Sequence, residues 1–106
     1  MATIKYTLLA SKDLVEIAKY ISHDSVYYAS LQIIRILERV KQLHSNLYIG
    51  RIVPEAGIKS IHELIEGNYR IIYRVIDPES IHILTVFHSK RNLTKTFLKK
   101  ISKKSK

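Results

Sequence analysis

The sequence predicts an α+β fold in which a small antiparallel sheet carries an N-terminal helical hairpin on one face. Two stretches of helical periodicity occupy the first half of the chain, and three short stretches of strand character lie between residues 60 and 88. Because helices and strands are segregated along the chain, the pattern favours a helix layer packed on an antiparallel sheet. The predicted order of elements is β-α-α-β-β-β-α.

The first three elements are a strand and two helices. Thr3 to Leu9 mixes β-branched, aromatic and aliphatic residues, which is typical of a strand. Ser11 or Asp13 is expected to cap the first helix, and Asp24 or Ser25 the second. Apolar residues then recur at three- and four-residue intervals, at Leu14, Ile17, Ala18 and Ile21 and at Ala29, Ile33, Ile36, Leu37, Val40 and Leu43. So short a break between two helices predicts an antiparallel hairpin.

The strands follow a connection, residues 46–60, that contains two glycines and a proline. They are predicted at Ser60–Glu66, Tyr69–Ile76 and Ile81–His88. Gly67 and Asn68 form a two-residue hairpin turn, since both residue types tolerate positive φ. A tight turn there pairs Glu66 with Tyr69.

The C-terminal segment is strongly basic. A short helix is predicted within Ser89–Ser102, with Leu93, Phe97, Leu98 and Ile101 on its inner side. Residues 99–106 are predicted to be a basic, flexible tail of the single domain that spans residues 1–106.

Composition limits the class of protein. The chain has 106 residues, 46% of them hydrophobic, which suits one compact domain, and it contains no cysteine. No apolar run approaches the roughly 20 residues of a membrane helix, so we expect a soluble cytoplasmic protein without a membrane partner. The formal net charge is +9, and no acidic residue follows Glu79. The electrostatic field of such an excess of positive charge attracts polyanions.

Two arginines within the middle strand are the first candidates for a site. Arg70 and Arg74 share one face with Ile72, while the tyrosines of this strand share the other. Guanidinium groups bind phosphate or carboxylate in a two-pronged manner, which predicts an anionic partner. The structural alternative is an ion-pair network with Glu63 and Glu66. Exposed pairs contribute only about 0 to 1 kcal/mol, so stability alone explains the two arginines poorly.

His88, at the end of the last strand, is a candidate acid or base because nearby cations favour its neutral form. Strict alternation places His88 opposite Tyr69 and on the face away from Arg70. A bulge at Phe87 or an earlier strand end would bring His88 and Arg70 together, and the sequence leaves both arrangements open. Glu55 is a candidate base, a partner of Arg51, or an uninvolved surface residue. The histidines show no metal-ligand spacing and no glycine-rich phosphate loop is present, which predicts no metal and no cofactor.

Four stretches of the chain resemble the RelE/ParE family of toxins from type II toxin–antitoxin systems, and the match is closer to the ParE branch. They are DLVEIAKYI followed by DS within residues 13–25, GRIVPE at 50–55, ELIEGNYRIIYRV at 63–75 and ILTVFHSKRNL at 83–93. The resemblance implies a small antiparallel sheet with a helical hairpin. It also implies a growth-inhibiting toxin silenced by an acidic, partly disordered antitoxin, as in plasmid stabilisation systems.

The branches of this family differ in their targets. The ParE-like branch poisons DNA gyrase, whereas the RelE-like branch cleaves messenger RNA on the ribosome. Under the ribonuclease alternative, the resemblance places Arg70, His88 and Glu55 in a metal-independent catalytic set comparable to that of YoeB-like nucleases. Ile61 and Glu63 stand where RelE carries lysines, and Ser89 replaces a basic residue, which favours gyrase.

The remaining cations complete the candidate site. Arg51, Arg74, Lys90 and Arg91 are predicted to bind nucleic acid or the target protein. A third alternative is an inactive relative that binds only the antitoxin. In each case the resemblance implies that operator DNA is met only through the antitoxin complex.

Overall fold

The structure is a computed structural model that describes residues 1–104. Its elements in chain order are β1 (Thr3–Tyr6), α1 (Leu8–Ser22), α2 (Val26–Lys41), a 3-10 turn (Gln42–His44), β2 (Arg51–Ile52), β3 (Ile61–Glu66), β4 (Tyr69–Asp77), β5 (Ser80–His88) and α3 (Lys95–Lys104). The α+β class and the N-terminal helical hairpin are confirmed.

The sheet has five strands in the order β1-β5-β4-β3-β2. β2 to β5 pair in antiparallel fashion, but β1 pairs in parallel with β5, where Thr3 lies opposite Ser80. The sheet is therefore mixed, which corrects the purely antiparallel prediction. The two-residue β2 was also missed, because Gly50 and Pro54 flank it and mask its strand character.

The caps of the hairpin differ in part from the prediction. Thr7 caps α1, since its side-chain oxygen accepts a hydrogen bond of 3.1 Å from the Ala10 N–H, and neither Ser11 nor Asp13 does so. Asp13 lies inside α1. Its carboxylate accepts hydrogen bonds from the hydroxyl of Thr85 and, at 3.0 Å, from the Val86 N–H, which ties α1 to β5. Ser25 caps α2 as one of the two predicted alternatives.

The β3–β4 hairpin has the predicted register. Glu66 lies opposite Tyr69 and Glu63 opposite Ile72. Gly67 has a φ of 58°, and it is the turn residue that uses the left-handed conformation, since Asn68 has no positive φ. β5 then carries an irregularity: Thr85 pairs with Ile72 and Ile83 with Tyr73, which leaves Leu84 as an extra, buried residue.

Both faces of the sheet are covered. Tyr69, Ile71, Tyr73 and Val75 of β4 pack with α1 and α2 in one core. Ile72 packs on the other face in a second core with Leu84, Phe87, Leu98 and Ile101. The face of β4 that bears the arginines is therefore an interior surface beneath α3, and not an open one.

α3 occupies part of the stretch for which the sequence predicted a flexible tail. Residues 99–104 continue the helix, because Leu98 and Ile101 are buried against the sheet and hold this turn of chain in place. Residues 105–106 lie outside the described residues. No helix within residues 1–104 is both long enough and apolar enough to cross a membrane.

Candidate functional site

Arg70 lies at the centre of a network of charged side chains. Its Nε donates a hydrogen bond of 2.5 Å to Glu63, and its two terminal nitrogens donate bonds of 3.1 and 3.2 Å to the two oxygens of Glu55. The second oxygen of Glu63 accepts a bond of 2.5 Å from Nε of Arg51. Strand pairing sets this arrangement, because Arg51 is the cross-strand neighbour of Glu63.

The solvent exposure of the side chains in the network increases from the interior to the surface. The Glu63 side chain is 0% exposed and that of Arg70 is 11% exposed, whereas the values for Glu55 and Arg51 are 36% and 68%. Burial alone lowers the pKa of Arg70, but the hydrogen bonds to Glu55 and Glu63 raise it above its ordinary value. The hydrogen bond from Arg70 holds the pKa of Glu55 below that of a free glutamate. Glu55 and Arg70 are accordingly both charged at neutral pH.

This geometry corrects the expectation that Arg70 faces an anionic target. Each of its three nitrogens donates to a carboxylate of the same chain, and the residue is 9% exposed. The alternative of an internal ion-pair network describes it better, with Glu55 in the place expected for Glu66. Glu55 in turn pairs with Arg70 and not, as one alternative had it, with Arg51.

His88 lies on the other face of the sheet. It pairs with Tyr69 in the register that strict alternation predicts, and the two rings meet edge to face with centroids 5.5 Å apart. The irregularity of β5 falls at Leu84 rather than at Phe87, so it does not turn His88 towards Arg70. The structure therefore brings Arg70 and Glu55 together and leaves His88 apart from them.

His88, Lys90 and Arg91 line a groove of about 510 Å³ between α1 and the end of β5. Its floor is apolar and its α1 rim carries carboxylates; the other lining residues are Asp13, Glu16, Ile17, Tyr20, Tyr69, Val86 and Phe87. Nδ1 of His88 accepts a hydrogen bond of 3.1 Å from the Lys90 N–H. The Arg91 guanidinium lies over the rings of Phe87 and Phe97, 5.7 and 5.3 Å from their centroids.

Arg74 lies at a third place, under the C-terminal half of α3. One terminal nitrogen donates a hydrogen bond of 2.9 Å to the backbone oxygen of Ser102. A cation at this end of a helix also interacts favourably with the helix dipole. The predicted site residues thus form three groups: the internal network, the groove, and the contact between β4 and α3.

Sequence reasoning missed the polar role of Tyr73. Its hydroxyl donates a bond of 2.8 Å to the Leu47 carbonyl and accepts one of 3.1 Å from the Gly50 N–H. Burial raises the pKa of Tyr73 to about 12. This tyrosine anchors the connection that positions Arg51 and Glu55, and a buried tyrosine needing hydrogen-bond partners was the available signal. Residues 1–104 contain no group of three His, Asp or Glu side chains placed to hold a metal ion.

Comparison with known proteins identifies the family. Residues 4–93 match the family described as the ParE toxin of the type II toxin–antitoxin system parDE. The chain belongs to the ParE toxin family. The predicted resemblance to RelE/ParE toxins, closer to ParE, is thereby confirmed, and so is the role as the toxin component of a type II system.

Solved structures show the same fold in toxin–antitoxin systems. This ParE-family chain is 25% identical to a chain of the chromosomal ParDE system from P. aeruginosa, with a TM-score of 0.68 over 83% of this chain and 96% of that one. A chain of the RelBE2 toxin–antitoxin complex from Mycobacterium tuberculosis matches at 21% identity, with a TM-score of 0.60 over 82% and 96%. No curated protein matches the sequence. A cognate antitoxin is the partner that this family membership supports.

Proposed function

We propose that this chain inhibits DNA gyrase in the cytoplasm, in the manner of ParE, and is silenced when its cognate antitoxin binds. The observation that carries the proposal is the engagement of every Arg70 nitrogen by Glu55 and Glu63. Family membership supports the role of a toxin. The network argues against ribonuclease chemistry, because the carboxylates neutralise the cation that would have to contact the phosphate of the RNA.

Cleavage of RNA by a metal-independent enzyme needs a base near the 2′-hydroxyl and a cation near the phosphate. Glu55 is a weak base, since Arg70 lowers its pKa. His88 is the other candidate base, but it lies across the sheet from Arg70, against Tyr69. His88 therefore does not converge with Arg70 and Glu55 as the ribonuclease alternative requires, whereas inhibition by binding requires no such convergence.

The groove beside His88 is the surface that we assign to the antitoxin. It offers an apolar floor to the hydrophobic residues of a folding segment, and Lys90 and Arg91 lie on its rim for acidic residues. Arg91 is exposed, although its guanidinium rests on two aromatic rings. An acidic, partly disordered antitoxin fits the side of the groove that carries Lys90 and Arg91, away from the Asp13 and Glu16 carboxylates on the α1 rim.

The test measures supercoiling of relaxed plasmid by purified gyrase with the purified chain present. Inhibition, with trapped gyrase–DNA breaks and intact messenger RNA on ribosomes, is the expected result. Cleavage of ribosome-bound messenger RNA without an effect on gyrase would overturn the proposal in favour of the ribonuclease. The absence of both activities from the folded chain would also overturn it and would favour the inactive relative.

Two variants sharpen this test. His88→Gln removes an imidazole from the surface of the groove, and Glu55→Gln removes the network carboxylate that would be the other candidate base. Gyrase inhibition is expected to persist in His88→Gln, because no proton transfer is involved. If the parent chain instead cleaves ribosome-bound messenger RNA with a bell-shaped pH profile, and His88→Gln loses this cleavage, the ribonuclease is favoured.

A further inference from the structure

A hollow of about 360 Å³ lies between α3 and the start of β3, and it is rich in cations. Arg74, Lys99 and Lys103 line it together with Ile58, Ser60 and Ser102. Lys99 and Lys103 are one helical turn apart on the same face of α3, and both are exposed. Three positive side chains from a strand and a helix thus converge on one concave surface.

Within the described residues 1–104, no acidic side chain lines this hollow. Of the ion pairs formed within residues 1–104, none includes Arg74, Lys99 or Lys103. Lys95, one turn before Lys99, extends the same basic face. Arg74 donates to the Ser102 carbonyl, but, unlike Arg70, it has no carboxylate partner among the described residues.

The lining also limits the chemistry of that partner. Cations suit phosphate, and a row of lysines along a helix suits the repeated phosphates of a backbone. Proteins that hold single-stranded nucleic acid add aromatic side chains on which bases stack. Among the described residues, none that lines the hollow is aromatic, which favours a duplex bound through its phosphates.

We propose that Arg74, Lys99 and Lys103 form a binding site for the phosphate backbone of duplex DNA. The family match ends at residue 93, so membership in the ParE family assigns no role to α3. The site gives this chain a direct contact with DNA, in contrast to the expectation that DNA is met only through the antitoxin complex. The inference is independent of the gyrase proposal, because it concerns the chain and DNA alone.

The test is a titration of a short fluorescein-labelled DNA duplex with the full chain, followed by fluorescence anisotropy at several salt concentrations. The Lys99→Gln/Lys103→Gln double variant is compared with Lys19→Gln/Lys41→Gln, which loses the same charge from the helical hairpin. Lys19 and Lys41 each neighbour a glutamate, Glu16 and Glu38, and lie on the other side of the sheet. Circular dichroism verifies that both variants remain folded.

The α3 variant is expected to bind on the order of 50-fold more weakly at about 0.1 M salt, and the slope of log K against log salt is expected to fall by about 1.8. The hairpin variant is expected to bind like the parent chain. Equal losses in the two variants would show binding through overall charge and overturn the site. Failure of the parent chain to bind at low salt, or tighter binding of a single strand that also depends on Lys99 and Lys103, would overturn it as well.

Discussion

Glu63 is the residue on which the buried charges depend. It has no exposed side-chain surface, and its two oxygens bind Arg51 and Arg70 separately. A buried carboxylate is tolerated only when its charge is paired and its lone pairs are filled, and here both conditions are met. The network thus joins β2, β3, β4 and the connection that contains Glu55.

Glu63→Gln is expected to destabilise the fold by about 3 kcal/mol, since it leaves the buried Arg70 guanidinium with one carboxylate instead of two. Arg51→Gln is the matched control. That side chain is 68% exposed and Glu63 keeps its pair with Arg70, so the loss of Arg51 should cost less, about 1 kcal/mol for the one buried oxygen of Glu63 left without a donor. Urea unfolding of the three proteins measures both values. Equal values for the two variants would show that burial does not strengthen the network.

Glu55 gives the network a dependence on pH. Arg70 holds the pKa of Glu55 below its ordinary value of 4.5, so the contact contributes stability that is fully present above pH 4.5 and is lost as the pH falls through the folded-state pKa. The difference in unfolding free energy between the parent chain and Glu55→Gln should therefore be constant at neutral pH and shrink below pH 4.5. Denaturant titrations across the acid range measure it, and parallel curves throughout would contradict the assignment.

The candidate site was only partly predictable from the sequence. Alternation along β4 placed both arginines on one face and Glu63 beside them, and the hairpin turn fixed that register. Glu55 lies in an irregular connection, where no helical or strand periodicity allows the direction of a side chain to be predicted. As long as the position of Glu55 is unknown, a strand arginine that binds a ligand and one that is neutralised inside the fold have the same sequence pattern.

At the scale of elements, α3 covers the second core. Leu98 is fully buried among residues of the sheet and of the connection 53–60, and Ile101 lies one turn further on. The helix therefore completes a sheet that would otherwise expose apolar side chains beside Arg74.

Leu98→Ala should cost about 2 to 5 kcal/mol, because it removes buried methyl groups and leaves a cavity. Thr96→Ala, on the exposed side of α3, is the control and should change stability little. Hydrogen exchange of the α3 amides reports whether the helix detaches locally or the whole domain unfolds. Protection of α3 that is equal in all three proteins would show that the helix is not held by Leu98.

Gly50 marks the close approach of the connection to the sheet. A Cβ added there would lie 2.3 Å from the Glu63 carbonyl oxygen and 2.8 Å from the Tyr73 hydroxyl. Gly50→Ala is expected to cost about 3 kcal/mol or more, as backbone must move. Gly57→Ala meets no neighbour and should cost about 1 kcal/mol for its positive φ alone. Thermal unfolding compares them, and the reverse order would contradict the packing.

The elements themselves were predicted with unequal success for physical reasons. Local signals located the helical hairpin, the Gly67 turn and the β3–β4 register, since each depends on residues close in the chain. The parallel pairing of β1 with β5 and the position of the Leu84 irregularity depend on contacts between distant segments. The extension of α3 into the lysine-rich end was not predicted, because the many like charges there suggested a flexible tail. Burial of Leu98 and Ile101 against the sheet outweighs the repulsion between these charges.

At the scale of the whole molecule, the net charge of +9 acts against compactness. Salt shortens the screening length from about 30 Å at 0.01 M to about 8 Å at 0.15 M, while buried pairs such as Arg70–Glu63 are screened much less. The unfolding temperature is therefore expected to rise with sodium chloride over this range. Lys99→Gln/Lys103→Gln should show a smaller rise, and a temperature that falls with salt would indicate that surface attraction dominates.

The parallel strand at the sheet edge has a consequence for the order of events during synthesis. Thr7, directly after β1, donates its hydroxyl to the Leu84 carbonyl, and these two residues are 77 positions apart. Contacts between such distant segments slow folding, since a long loop must close before they form. The first strand to be translated pairs with the last one, so the nascent polypeptide cannot complete its sheet until β5 has been synthesised.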